Sequence, residues 1–138
     1  MENNRFNFDI NDCRVTALNF SINKEFEPGP DIPLDINMEM EHDYFDDKDI
    51  LRLAVRSSIT GEGSPFSLSA EIGGLFHFTT GKPDTIRLQR IAEINCAAIL
   101  FPFLRETIAD IIRRSGLPTL LLPPMNFEEF YLRNHPEE

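Results

Sequence analysis

The strictest pattern in this chain is an alternation of apolar and polar residues between residues 31 and 41. Every second residue from Ile32 to Met40 is apolar, and acidic, amide or proline residues stand between them. A period of two with one apolar face is typical of a half-buried antiparallel strand. This part of the chain therefore needs a core on one side only, which excludes an all-helical fold.

Three other segments show the same period. Alternating apolar residues run over 51–59 and over 66–72, and they continue to Phe78 beyond the pair Gly73-Gly74. The two glycines predict either a bulge or a close approach of two backbones. Residues 6–22 predict a further strand, whose apolar parity slips near Val15 and so indicates a bulge. Together these segments predict a four-stranded antiparallel sheet.

The pattern changes to helical spacing after residue 84. From Thr85 to Arg114 apolar residues recur along two sides of one predicted helix, which suggests that it also buries a face against another subunit. Pro102 lies inside this helix and should kink or split it. Gly116 and Pro118 predict where the helix ends.

A second, shorter helix is predicted close to the end of the sequence. Asn126, with Glu129 three residues later, resembles a capping box, which predicts a helix from residue 127 to about residue 134. Strands first and helices last are typical of the α+β class. We therefore expect one domain over residues 1–138, in which a long kinked helix and a short C-terminal helix pack on one face of the sheet.

The balance of charge and hydropathy restricts the partners. The chain has 13 Lys and Arg residues and 23 Asp and Glu residues, which gives a net charge of −10. Binding to nucleic acid requires clustered Lys and Arg side chains, so this charge argues against it. No apolar run approaches the ~20 residues of a membrane span, and residues 1–5 do not resemble a secretory signal. We expect a cytosolic protein that binds no nucleic acid and does not insert into membranes. Cys13 and Cys96 form no short metal or redox motif.

The densest group of reactive side chains is EHDYFDDKD, residues 41–49. His42, Asp43, Asp46 and Asp47 are candidate metal ligands, and a metal-dependent enzyme is one hypothesis. However, the spacing matches no calcium loop and lacks the required glycine, so a solvated connection between strands is favoured. The sequence offers no combination of nucleophile, base and orienting group. It predicts a binding protein without cofactor or metal rather than an enzyme.

A proline-punctuated apolar segment indicates what such a protein binds. Residues 115–130 read SGLPTLLLPPMNFEEF, and the prolines deny this segment both a helix and a central strand. It should be a loop with an unusual amount of apolar surface. Together with LFPFLRE at 100–106 and EIGGLFHF at 71–78, the segment resembles the SecB family of export chaperones. The resemblance covers most of the chain and is weakest in the first fifty residues.

The resemblance implies a homotetramer, built as a dimer of dimers, with the long helix at the interface between dimers. It also implies a chaperone that holds unfolded polypeptides, such as secretory precursors, in an apolar groove, and the lack of a nucleotide motif adds independence from ATP. The residues expected to contact clients are Met38, Met40, Leu120, Leu122, Met125, Phe127, Phe130 and Tyr131. The residues expected at the oligomer interface are Ile94, Cys96, Leu100, Phe101 and Ile108.

The family further implies the SecA motor as a partner, bound through acidic residues on the exposed face of the sheet. The matching positions here are Ala17, Ser21 and Ser69, which carry no charge, and this argues against docking through these positions. Two alternatives to an export chaperone stay open. One is a SecB-like chaperone dedicated to a single client, such as the antitoxin of a toxin–antitoxin module, and the other is an oligomeric adaptor that holds no client.

Overall fold

Four antiparallel strands form one sheet in the computed structural model, which describes residues 8–25, 34–60, 63–118 and 120–137. The strands are β1 (Phe8–Ile22), β2 (Asp35–Phe45), β3 (Ile50–Thr60) and β4 (Phe66–Phe78). Their order across the sheet is β1-β4-β3-β2, so β1 and β2 are its two edges. The predicted sheet is confirmed, while residues 6–7 and 31–33 of the predicted strands lie outside the described residues.

One face of the sheet carries the core. In the central strands β3 and β4, every second residue is buried, beginning with Leu51 and Phe66, and the residues between them are half-buried or exposed. On the edge strands the inward residues are at most half-buried. Burial is greatest in the centre because the long helix packs mainly on β4 and β3.

The irregularities of the sheet lie on β1. Its register against β4 shifts between Ile10 and Asp12 and again between Val15 and Ala17. The second shift confirms the bulge that the slip of parity predicted. Gly73-Gly74 pairs with β3 without any shift, so β4 itself has no bulge there and the glycines serve the close approach that was the other prediction.

Gly74 lies directly under the long helix, which explains why it has no side chain. We expect Gly74→Ala to lower the free energy of unfolding by ~1–3 kcal/mol, the usual cost of overpacking a core, because the added Cβ would lie 2.8 Å from Cδ2 of the fully buried Leu100. Gly73→Ala is the matched control, since its Cβ would meet only the side chain of Thr16, which is exposed and not part of the core. Urea unfolding of both variants measures the difference, and equal losses would contradict this account of Gly74.

The long helical segment is continuous but not uniform. It consists of α1 (Thr85–Arg90), a π-helical segment (Ile91–Cys96) and α2 (Ala97–Arg114). Pro102 does not split the helix, because α2 runs through it, and the change in helical geometry comes before it in the π-helical segment. Gly116, with φ of 82°, lies just beyond α2 as predicted. Within the described residues no helix has the length and hydropathy that crossing a bilayer requires.

The last helix, α3, spans Phe127–Asn134. The side chain of Asn126 accepts a hydrogen bond of 3.1 Å from the backbone N–H of Glu129, which confirms Asn126 as the N-cap. α3 packs against the π-helical segment. The sequence-based bounds of this helix therefore hold.

The side of the long helix that faces the sheet differs from the sequence-based assignment. Cys96, Leu100 and Ile108 have no exposed surface and Phe101 is 7% exposed, all within one subunit. These four side chains, which were expected at the oligomer interface, pack in the core over the sheet of a single subunit. Ile94 is half-buried and stays available. The large apolar side chains that the long helical segment exposes are instead Ile86 and Phe103, at 58% and 52%.

Candidate binding groove

An open groove of about 230 Å³ lies where the edge strand β2, the helix α2 and the loop before α3 meet. β2 contributes two residues, α2 contributes one, and the loop contributes the rest. The lining residues are Ile36, Met38, Phe101, Leu122, Pro123, Pro124 and Met125. None of these side chains is charged or polar.

The loop wall of the groove is held in place by inward anchors. Leu122 is 2% exposed, whereas the preceding Leu121 is 62% exposed and points outward. This is the in-and-out alternation expected of an extended segment, and Pro123 with Pro124 keeps the segment from becoming helical. Directly after the loop, the ring of Phe127 packs edge-on against Phe101, with 5.4 Å between ring centroids. The wall is thereby joined to α2 at the start of α3.

The structure brings only some of the predicted client-binding residues together. Met38, Leu122 and Met125 line the groove. The other five do not line it: Met40, Leu120 and Phe130 are half-buried elsewhere, and Phe127 and Tyr131 are buried at 6% and 0% exposure. Those two aromatic residues fasten α3 to the rest of the subunit.

Four lining residues were not predicted as part of the groove. Ile36 could have been found from the sequence, because it shares the inward parity of Met38 on β2. Phe101 was assigned to the oligomer interface, and the structure places it in the groove instead. Pro123 and Pro124 were read only as signals that break helices.

The chemistry that such a lining offers is burial of apolar surface. Each apolar side chain that becomes fully covered contributes ~1.5–3 kcal/mol, and methionines adapt their shape to different partners. β2 is an edge strand, so one side of its backbone is not paired within the sheet. A groove of this kind can hold an extended polypeptide by its side chains and its backbone together.

A second arrangement, outside the groove, joins three parts of the fold through one carboxylate. Oε2 of Glu93, in the π-helical segment, lies 3.2 Å from Nε2 of His42 on β2. Its Oε1 lies 3.0 Å from Nε2 of His135, which follows α3. Because a carboxylate only accepts hydrogen bonds, each imidazole directs an Nε2 proton toward it. We call His42, Glu93 and His135 the Glu93 cluster.

The Glu93 cluster is largely shielded from water. The side chain of Glu93 is 12% exposed, and those of His42 and His135 are 24% and 22% exposed. Burial by itself would raise the pKa of Glu93, but the hydrogen bonds from His42 and His135 outweigh it and hold the pKa below its ordinary value. Glu93 therefore stays ionised. His42 could have been placed from the sequence, because it shares the inward parity of Met38 and Met40, whereas no pattern marks Glu93 within its helical segment.

The candidate metal ligands of residues 41–49 do not converge. His42 faces inward to Glu93, Asp43 forms an ion pair with Arg52, and Asp46 forms one with Lys82 at 3.1 Å. Across the part of the chain that the structure describes, no three His, Cys, Asp or Glu side chains form a group suited to a metal ion. The geometry therefore gives no support to the hypothesis of a metal-dependent enzyme.

The open face of the sheet carries the three uncharged positions at which the family was expected to have acids. Ala17 pairs with Glu71, and Ser69 and Ser21 lie farther along the same two strands. Glu71 is engaged within the subunit: it accepts hydrogen bonds from Thr16 at 2.6 Å and from Arg56 at 2.7 Å. The bond from Thr16 is the main reason that the pKa of Glu71 lies below its ordinary value, with Arg56 adding to it against the effect of burial.

Comparison with known proteins gives the class of this fold. A SecB-like chaperone of Mycobacterium tuberculosis, solved in complex with a ChAD peptide from the HigA1 antitoxin, matches the chain with a TM-score of 0.70. The match covers 86% of this chain and 88% of the other, at 18% identity. The fold is that of a SecB-like chaperone, as the sequence predicted.

The sequence comparisons add the family. The family described as "Preprotein translocase subunit SecB" matches residues 8–138, and the chain therefore belongs to the SecB family, whose members are chaperones and not enzymes. The protein-export protein SecB of Thiobacillus denitrificans is 29% identical over 103 residues, which cover 72% of this chain and 66% of that protein, just under two thirds of its length. The SecB of Psychrobacter arcticus is 32% identical over 114 residues, which cover 80% and 72%.

Proposed function

We propose that this protein is an ATP-independent holding chaperone of the cytosol, which binds unfolded polypeptides in the groove between β2 and the loop before α3. The observation that carries the proposal is the lining of the groove, which is apolar throughout and open to solvent. Exposed apolar surface of this kind favours aggregation unless a partner uses it. The net charge of −10 keeps such a protein soluble.

The composition of the groove favours many client sequences over one. Met38 and Met125 adapt their shape, whereas Pro123 and Pro124 give a stiff wall that loses little entropy on binding. The unpaired edge of β2 adds contacts to the backbone of the client, which are the same for every sequence. Several weak contacts along an extended chain would then give useful affinity with little sequence preference.

We further propose that the protein acts as a homo-oligomer, a tetramer built as a dimer of dimers. Two separate surfaces support this assembly. The edge strand β1 exposes Ile10, Leu18 and Ile22 at 44–49%, and the outer side of the helical layer exposes Ile86 and Phe103. Two apolar surfaces on different elements of a subunit suit two different interfaces.

The clients that fit a member of this family are secretory precursors. A dedicated chaperone for one client, such as an antitoxin, is the second candidate. It is favoured by the lack of charge at Ala17, Ser21 and Ser69. The nearby Glu71 is hydrogen-bonded to Thr16 and Arg56 of the same subunit. This face of the sheet therefore offers few acidic side chains for electrostatic docking of SecA. Identification of the polypeptides that co-purify with the protein separates the two: many precursors support export, and a single antitoxin supports the dedicated role.

The experiment that tests the groove measures the affinity of an unfolded client, such as a fluorescent permanently unfolded protein, for two double variants. Ile36→Ser with Met125→Ser removes apolar contacts from two walls, at residues that are 42% exposed and half-buried, so the fold should persist. We expect the affinity to fall by about tenfold or more, which corresponds to the loss of one well-buried apolar contact.

The matched control replaces exposed apolar residues whose side chains do not line the groove. Leu132→Ser with Leu121→Ser makes two similar changes at residues that are 45% and 62% exposed and do not line the groove. We expect this control to bind the client as the wild type does. Equal affinities of both double variants would place the client elsewhere, and a wild type that neither binds the client nor suppresses its aggregation would favour an adaptor.

A further inference from the structure

We propose that Glu93 is a positioning residue for the groove. Through His42 and His135 it fixes α3 relative to β2, and thereby sets the position of the loop wall at 120–125. The proposal rests on the proposed function of the groove, because it assigns to Glu93 a part in client binding although Glu93 does not line the groove.

The two walls of the groove belong to elements that also carry the histidines of the Glu93 cluster. On β2 the groove is formed at Ile36 and Met38, and His42 lies about 13 Å farther along the strand. On the other side the loop passes into α3, and His135 lies about 12 Å beyond Phe127 along that helix. The cluster therefore joins the two elements that carry the walls, at a place removed from the groove itself.

The two ends of α3 are held in different ways. At its start, Phe127 packs on Phe101 with 5.4 Å between ring centroids, an apolar contact that is less directional than a hydrogen bond. At its end, His135 donates to Glu93 at 3.0 Å and its ring packs on that of Tyr131 at 4.2 Å. A directional hydrogen bond to a charged group restricts both distance and angle. The bond at the end of α3 therefore adds a directional restraint to the apolar anchors Phe127 and Tyr131.

The burial of Glu93 makes the arrangement depend on all three residues. A carboxylate that is 12% exposed and loses its donors is left poorly solvated. Both of its oxygens are engaged, one toward β2 and one toward the C-terminal segment. Glu93 cannot follow a movement of one element without straining its bond to the other, so the positions of the two walls are coupled.

The sequence context supports a role beyond general packing. Glu93 lies in a π-helical segment, a local geometry that is frequent at functional sites. The neighbouring helical positions facing the core, Ala92 and Cys96, are fully buried small residues. At this place the chain has a carboxylate with two histidine donors where an apolar side chain would suffice for packing.

The test compares Glu93→Met, which keeps the length of the side chain and removes both acceptors, with Glu106→Met, the same change at an exposed position of α2. We expect Glu93→Met to bind a fluorescent unfolded client about tenfold more weakly, the scale of a lost hydrogen bond to a charged group, and Glu106→Met to bind normally. His135→Leu should weaken binding in the same way. His135→Gln should restore it, because the amide still donates to Glu93.

A second measurement tests whether the loop wall is held in place when no client is present. Hydrogen–deuterium exchange should become faster in residues 120–134 of Glu93→Met, while β3 and β4 keep the protection of the wild type. Unchanged exchange at 120–134, faster exchange throughout the sheet, or a Glu93→Met variant with the affinity of the wild type would each overturn the proposal. If the wild type binds no client, the proposed function fails, and faster exchange confined to 120–134 still supports the part of Glu93 in fixing the wall.

Discussion

Leu100→Arg is expected to unfold the subunit. Leu100 has no exposed surface and packs over Gly74, in the centre of the layer between α2 and the sheet. A guanidinium at this position would be buried without a partner, at a cost of ~4 kcal/mol or more. That is a large part of the stability of a domain of this size. Circular dichroism and urea unfolding measure the loss directly.

The matched change on the outer side of the same helix should have a different effect. Phe103 is 52% exposed, so Phe103→Arg places the charge in solvent and should leave the subunit folded. If this side of α2 contacts another subunit, as we propose, light scattering should show a smaller assembly for Phe103→Arg than for the wild type. A folded Leu100→Arg variant of reduced mass would instead restore Leu100 to the oligomer interface.

The long helix could be predicted only in part from the sequence. Its bounds, its end at Gly116 and its apolar character could all be predicted. Which of two apolar stripes faces the sheet could not, because the residues from Ile91 to Cys96 are π-helical. A π-helical turn contains more residues than an α-helical turn and so rotates the residues that follow relative to an α-helical projection. Leu100 and Phe101, which were expected at the oligomer interface, are buried over the sheet.

The groove could be predicted from the sequence only in part. The apolar character of the segment 115–130 and the inward parity of Met38 could be predicted, and three predicted residues do line the groove. However, the contact between the loop and β2 joins residues that are more than eighty positions apart, and no local pattern encodes such a pairing. Phe101 was missed as a groove residue for this reason, and so was the bond between His42 and Glu93.

Tyr131→Ala is expected to release α3 from the subunit while the sheet stays folded. Tyr131 has no exposed surface, its ring packs at 4.2 Å from that of His135, and the guanidinium of Arg90 lies 5.0 Å above it. Loss of a buried aromatic ring costs ~3–5 kcal/mol. Because α3 packs mainly on the π-helical segment, the cost should appear as local opening of residues 120–134, which hydrogen–deuterium exchange resolves.

Phe130→Ala is the control that separates anchoring from direct contact with a client. Phe130 is half-buried beside Arg133 on α3, and its truncation should cost only ~1 kcal/mol, as for most substitutions outside a core. Exchange in residues 120–134 should stay near that of the wild type. Client affinity should fall strongly for Tyr131→Ala, since the loop wall loses its support, and little for Phe130→Ala. The reverse order would mean that Phe130 touches the client and that the wall does not need α3.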